Sequence, residues 1–339
     1  MSLPHHHAAL PTGTVIEEFK ILHILGHGGF GITYLAEDLG LKIRVAIKEF
    51  MPNELAVRLE GNTVAPKSDG DRSDFEWGRQ RFVEEAQILA RFRHPNIVRV
   101  SRILEANDTA YIVMDYYEGE PLNVILDRQG TLSNDELRAM LMPLLDGLEV
   151  LHQADVVHRD IKPGNIYLRT DGTPVLLDFG AAREGLSRYS RSVSAMATPG
   201  YAAFEQYQSR GKQGALTDIY GLGATLYRCV TSNRPPDATD RITDDDLVPA
   251  HDAAVDAYTP SLLSAIDAAL EVRIQDRPQS IAEWREMMQE GSDPTPIEPD
   301  EQPTPDTENS VAGPWGPHVS QGPKTNGAAQ NAGVNTAEE

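Results

Sequence analysis

The run His158-Arg159-Asp160-Ile161-Lys162-Pro163-Gly164-Asn165 collects an acid, a base and an amide in one short stretch. Asp160 can orient an attacking hydroxyl and accept its proton, Lys162 can neutralise a transferring phosphoryl group, and Asn165 can give a metal an amide oxygen. Phosphoryl transfer needs mainly positioning and charge neutralisation, which such a cluster supplies. A carboxylate of similar use is Asp178 in Asp178-Phe179-Gly180, at the end of the apolar Val175-Leu176-Leu177. Its oxygens suit a hard cation. Nearer the start, Gly26-His27-Gly28-Gly29-Phe30-Gly31 offers a backbone that can approach phosphate and present N–H donors. Each short motif is weak by itself; a tight hairpin explains the glycines nearly as well, and a polar loop the first run.

These residues need elements to hold them. Strands are predicted at Ile21–Leu25, Thr33–Glu37 and Arg44–Phe50, so the glycines join two strands. A dinucleotide fingerprint would need a helix after them, and a strand follows instead. Lys48 closes Val45-Ala46-Ile47-Lys48 on the third strand, sharing parity with Ala46. A helix follows with Phe82, Ala86, Leu89 and Ala90 on one stripe. Glu85 falls on that stripe, where a carboxylate is costly unless paired, and Lys48 is its expected partner. Pro95 stops the helix.

Strands over Ile97–Glu105 and Thr109–Tyr116 come next. Ser133 and Glu136 then form a capping box, opening a helix whose stripe runs from Leu137 to Leu151 with Pro143 inside it. Short strands at Ile166–Leu168 and Val175–Leu177 precede a loop-rich stretch to about Tyr207. Helices continue to Glu290, with a second capping box at Ser280 and Glu283. Strands first and helices after is the order of an α+β chain with a small sheet lobe and a larger helical lobe.

In this order, the Gly-rich loop, Val-Ala-Ile-Lys, the helix Glu, His-Arg-Asp-Ile-Lys-Pro-x-Asn and Asp-Phe-Gly resemble the eukaryotic-type (Hanks-type) protein kinases of bacteria. The similarity covers Phe19 to Met288. It implies a bilobal protein-kinase-like fold, α+β, with an antiparallel-sheet N-lobe at about 15–115 and a helical C-lobe at about 119–290. It implies ATP with Mg²⁺, or Mn²⁺ in its place, as phosphoryl donor. By resemblance Asp160, Lys162, Lys48 and Glu85 are catalytic, and Asn165 and Asp178 hold the metal. Gly26, Gly28, Gly29, Gly31, Thr33, Ala46, Lys48, Asp115 and Tyr117 bind ATP, with Met114 as gatekeeper. Asp218 matches the helix Asp that braces the catalytic loop, and Glu205 pairs with Arg277. An activation segment spans Asp178 to Glu205, with Ser187, Ser190, Ser192 and Ser194 as phosphosite candidates beside Arg188 and Arg191. Thr198 in Thr198-Pro199-Gly200-Tyr201 positions substrate and suits Ser/Thr acceptors. Protein substrates are the expected partners, and a transient dimer would serve autophosphorylation in trans.

The chain departs from the family pattern in four places. Thr33 replaces a Val, Ala203-Phe204-Glu205 replaces Ala-Pro-Glu, and Gly164 stands where enzymes preferring basic substrates often have Glu. The Lys48-to-Glu85 interval is long, with Asn53–Asp74 as extra material. A pseudokinase or nucleotide-binding scaffold would share the fold with a broken site, whereas every catalytic position here is intact. A small-molecule kinase would lack the long segment after Asp178 and the Thr198 loop.

The formal charge of −21 argues against nucleic acid as partner, because its backbone demands a basic footprint. The tail 291–339 holds eight acids and one Lys, a net −7, so −14 belongs to the rest. That tail is Pro-rich and short of large apolar groups, which predicts disorder. Met1–Thr14 is expected to be a disordered leader. A single cysteine, Cys229, excludes an intrachain disulfide. With no basic leader and no long apolar stretch, a cytoplasmic location is expected.

Overall fold

The computed structural model describes residues 7–179, 198–208, 210–254 and 256–289. Six antiparallel strands form the small lobe's main sheet: β1 (Val15–Ile16), β2 (Phe19–His27), β3 (Gly31–Asp38), β4 (Ile43–Phe50), β7 (Val100–Ala106) and β8 (Thr109–Asp115). Their spatial order is β1-β2-β3-β4-β8-β7. Hairpins explain the first four neighbours. The register Thr33↔Lys48 and Ala46↔Met114 puts the catalytic-lysine candidate, Ala46 and Met114 in the middle of the sheet. Helix α1 (Arg72–Leu89) lays Phe75, Phe82, Ala86 and Leu89 on this sheet, with the rings of Phe75 and Phe82 each 5.5 Å from that of Phe50.

Between β4 and α1, the extra material forms a two-stranded hairpin, β5 (Ala56–Arg58) and β6 (Val64–Pro66). It is fastened to the back of the sheet by charge. Glu49 has no solvent-exposed surface; it accepts from Tyr34 Oη and Tyr111 Oη, both at 2.8 Å, and from Arg58 Nη2 at 2.5 Å. Burial, and after it the Glu49 carboxylate, push both phenols up, so they remain donors.

The same cluster corrects the expected loose leader. Ala8 and Leu10 are buried. Arg58 Nε donates to Ala8 O at 2.6 Å, Leu10 N donates to Tyr34 Oη at 3.0 Å, and Gly13 N donates to Ile21 O at 2.8 Å. Two apolar side chains and these backbone bonds fix residues that composition alone marks as loose. Their partners lie far along the chain. Residues 1–6 lie outside the described residues, as does the tail from 290.

In the large lobe, α2 (Leu122–Gln129) and α3 (Asn134–Gln153) follow β9 (Gly119–Pro121). The Ser133–Glu136 capping box is present, and α3 runs through Pro143 as one helix. Strands β10 (Ile166–Arg169) and β11 (Pro174–Leu176) pair with β9 in the order β11-β10-β9. Then come α4 (Ala215–Thr231), α5 (Ala238–Arg241), α6 (Ala250–Ala253), α7 (Pro260–Ala269) and α8 (Ile281–Met287). Most of α4 is buried, as its run of apolar residues requires, and Trp284 donates to Ala265 O to seat α8. The strand expected from Ile97 begins only at Val100. Ile97 instead makes an isolated bridge to Leu176, where Leu176 N donates to Asn96 O and Val98 N donates to Leu176 O.

Candidate active site

Two adjoining cavities lie where the lobes meet. The first, about 270 Å³, is mostly apolar and is lined by Leu25, Thr33, Ala46, Val98, Met114 and Leu177, with Asp115 to Tyr117 along one side. The second, about 300 Å³, is the more polar of the two and takes in Gly26 to Gly31, Lys48, Glu85, Asp160, Lys162, Asn165 and Asp178. Gly26, Thr33, Gly164 and Asp178 line both. Strands β2 and β3 carry the glycines over the polar cavity. Only Gly31 is fixed by packing: a Cβ there would run into the carbonyl oxygen of Glu49.

The lower wall is built on α4. Asp218, buried near its start, accepts from the backbone N–H of His158 (2.8 Å) and of Arg159 (2.7 Å) and contacts His152 Nε2 at 2.9 Å. One carboxylate thus holds the turn that presents Asp160. Arg159 takes φ = 66° and Asp178 φ = 50°, left-handed conformations that cost a non-glycine residue about 1–3 kcal/mol each. Both flank the polar cavity.

His158 is fully enclosed, its ring centroid 4.3 Å from that of Phe179. Burial lowers its pKa, so it is neutral, with Nε2–H donated to Leu177 O at 2.8 Å and Nδ1 accepting Asp160 N. It ties the two acid-bearing loops together.

Around Asp160 the contacts converge. Lys162 Nζ lies 2.9 Å from its Oδ2 and 3.2 Å from Thr198 Oγ1, and Thr198 Oγ1 donates to Asp160 Oδ1 at 3.1 Å. Asn165 Nδ2 donates to Asp160 Oδ2 (2.6 Å) and to its carbonyl (2.8 Å). That commits the Asn165 amide nitrogen and leaves its oxygen as an acceptor, in the cavity that Asp178 also lines. Such a pair of hard oxygen donors fits a divalent cation.

Lys48 corrects one expectation. Its Nζ lies 2.7 Å from Asp178 Oδ1, across the lobes, and this is its ion pair; Glu85 is not its partner. Glu85 is buried on α1 and lines the same cavity. Both carboxylates reach one chamber, and sequence order does not rank their distances to the ammonium. The expected Glu205–Arg277 pair is present and buried, at 2.9 Å (Nη1–Oε1) and 3.1 Å (Nη2–Oε2).

Three residues of this neighbourhood carried no sequence signal. Gln206 donates to Arg159 O at 2.8 Å and accepts Ala203 N, Thr217 donates to Glu205 Oε1, and Tyr167 reaches the inter-lobe segment. Only His152, one helical turn past Leu148 on α3, sat on a pattern already read. Ser187, Ser190, Ser192, Ser194 and Gly180 lie outside the described residues.

A model of the protein kinase domain matches residues 19–289. The chain belongs to the protein kinase family. Its kinase domain is similar to those of bacterial serine/threonine-protein kinases. It is 32% identical over 284 residues to Serine/threonine-protein kinase PknA of Nostoc sp., covering 80% of this chain and 47% of that protein. It is 29% identical over 291 residues to Serine/threonine-protein kinase C of Synechocystis sp., covering 82% and 51%. The chain thus spans about half the length of these curated relatives. Among solved structures, the kinase matches "PpkA-294 apo form" with a TM-score of 0.78 and 37% identity, covering 83% of this chain and 99% of that one. Protein kinases use ATP and a divalent metal, and no described helix is long and apolar enough to cross a membrane.

Proposed function

We propose that this chain transfers the γ-phosphate of Mg²⁺-bound ATP to Ser/Thr hydroxyls of proteins, its own activation segment included. One observation carries the reading: Lys48 of the small lobe meets Asp178 of the large lobe at 2.7 Å, in the cavity that Asp160 and Lys162 line. Adenine would lie in the apolar cavity between Ala46 and Leu177, hydrogen-bonded to the backbone of Asp115 and Tyr117, with the phosphates under Gly26–Gly31.

Asp160 would accept the proton of the acceptor hydroxyl, which Thr198 helps to seat, while Lys162 neutralises charge on the transferring group. Asn165 and Asp178 would hold Mg²⁺. The cation supplies neutralisation of the β/γ-phosphate oxygens. We assign Glu85, buried beside Lys48, to hold that lysine once Asp178 serves the cation.

Incubation with γ-labelled ATP and Mg²⁺ should label the protein on Ser and Thr. Asp160→Ala should lose the label and keep its melting temperature. Equal labelling of the two would reject the mechanism. ATP binding without any transfer would favour a nucleotide-binding scaffold.

A further inference from the structure

The segment that joins the lobes is held by a tyrosine outside the catalytic set. Tyr167 lies on β10, two residues past Asn165. Its single hydroxyl proton is shared between the carbonyls of Gly119 (2.8 Å) and Tyr117 (3.2 Å), and the residue lines the apolar cavity. Strand alternation puts the next side chain, Leu168, on the opposite face, where it lines a separate cavity of about 510 Å³. Burial raises the Tyr167 pKa, so the hydroxyl keeps its proton to donate.

The backbone reinforces this hold. Tyr167 pairs with Pro121, Leu168 with Glu120 and Arg169 with Gly119, and Thr170 N donates to Glu118 O at 2.9 Å. Gly119 permits the approach: its φ is 155°, and a Cβ would strike Leu168 O. The Arg169 guanidinium sits 5.3 Å from the Tyr117 ring centroid. From Glu118 onward the joining segment is therefore fastened to the large lobe, while Tyr117 is held from both sides, its carbonyl by Tyr167 and its hydroxyl by the Arg99 backbone. Asp115, paired with Val45, belongs to the small-lobe sheet. Asp115, Tyr116, Tyr117 and Pro121 all line the apolar cavity.

We infer that Tyr167 is a positioning residue for the nucleotide base, its hydroxyl fixing the Tyr117 peptide against which the base bonds. This rests on the ATP reading proposed above, and it adds a contact specific to the hydroxyl of this tyrosine.

The test uses Tyr167→Phe in the full chain, which keeps the ring and removes the donor. Calorimetry would measure adenosine, MgATP and Mg-tripolyphosphate binding alongside the melting temperature. Loss of one neutral hydrogen bond should weaken adenosine and MgATP alike by about fivefold, or about 1 kcal/mol. Tripolyphosphate affinity should stay unchanged, as should kcat at saturating ATP, with KM for ATP rising. Tyr167→Leu, which also loses the ring, should weaken adenosine further.

A lower melting temperature with unchanged adenosine affinity would overturn the inference. So would equal weakening of tripolyphosphate, because the effect would then not act at the base. Wild-type protein that binds none of the three ligands would remove the ATP reading itself, a failure distinct from the other two.

Discussion

Replacing Arg58 by Met would remove the only guanidinium that reaches the buried Glu49 among the described residues. Glu49 is fully enclosed and the Arg58 side chain is 8% exposed, so the pair belongs to the interior. Removing one partner of a buried pair costs about 3–5 kcal/mol, since the other charge stays behind. The two tyrosine hydroxyls on Glu49 soften that cost, which favours the lower end. A domain of this size loses about 2–4 °C per kcal/mol, so the melting temperature should fall by roughly 10 °C. Arg58 also donates to Ala8 O and Asn62 O, so the leader and the β5–β6 hairpin should loosen together. Amide exchange at Leu10 reports this directly. A thermodynamic cycle of Arg58→Met, Glu49→Leu and the double variant completes the assay. The double variant should cost about 2 kcal/mol less than the sum of the singles. A drop under 2 °C for Arg58→Met, or additive costs, would refute the reasoning.

Gly31→Ala forces a Cβ into Glu49 O and should destabilise the fold by about 1–3 kcal/mol in urea titration, while Gly28→Ala, which meets nothing within 4 Å, should leave stability alone and weaken ATP. Asp178→Asn should retain the fold and lose at least about 100-fold in phosphotransfer by labelled-ATP assay. Glu205→Gln leaves Arg277 buried with one charged partner fewer and should cost about 3 kcal/mol by thermal melting. His158 has a folded pKa below its ordinary 6.5. Below pH 6.5 the unfolded chain therefore binds more protons, and stability should fall as pH drops from 6.5 toward the folded value. A pH series of melting temperatures should show this component, and His158→Asn should lack it.

Lys48, Asp160, Asn165 and Asp178 were legible in the sequence because each sits in a local motif bounded by a recognisable strand or loop. The capping box at Ser133 and the apolar stripe of α3 were legible for the same reason: their partners are three and four residues away. Contacts set by distance across the chain were not. Lys48 chose Asp178 over Glu85 by how the lobes meet, a tertiary quantity. Ala8 and Leu10 looked loose because their partners, Arg58 and Tyr34, lie 50 and 24 residues away. The hairpin in the extra segment was not legible because its strands are three residues each, too short for alternation to register. Tyr167 gave no signal, since a tyrosine on a strand is ordinary until its hydroxyl finds a carbonyl.

The most direct measurement is a crystal structure with Mg²⁺ and a non-hydrolysable ATP analogue. The base should lie between Ala46 and Leu177, with the β- and γ-phosphates under Gly26–Gly31. Lys48 should then contact phosphate, and Asp178 should have left it for the cation. Nucleotide bound away from both cavities, with the Lys48–Asp178 pair intact, would contradict this arrangement.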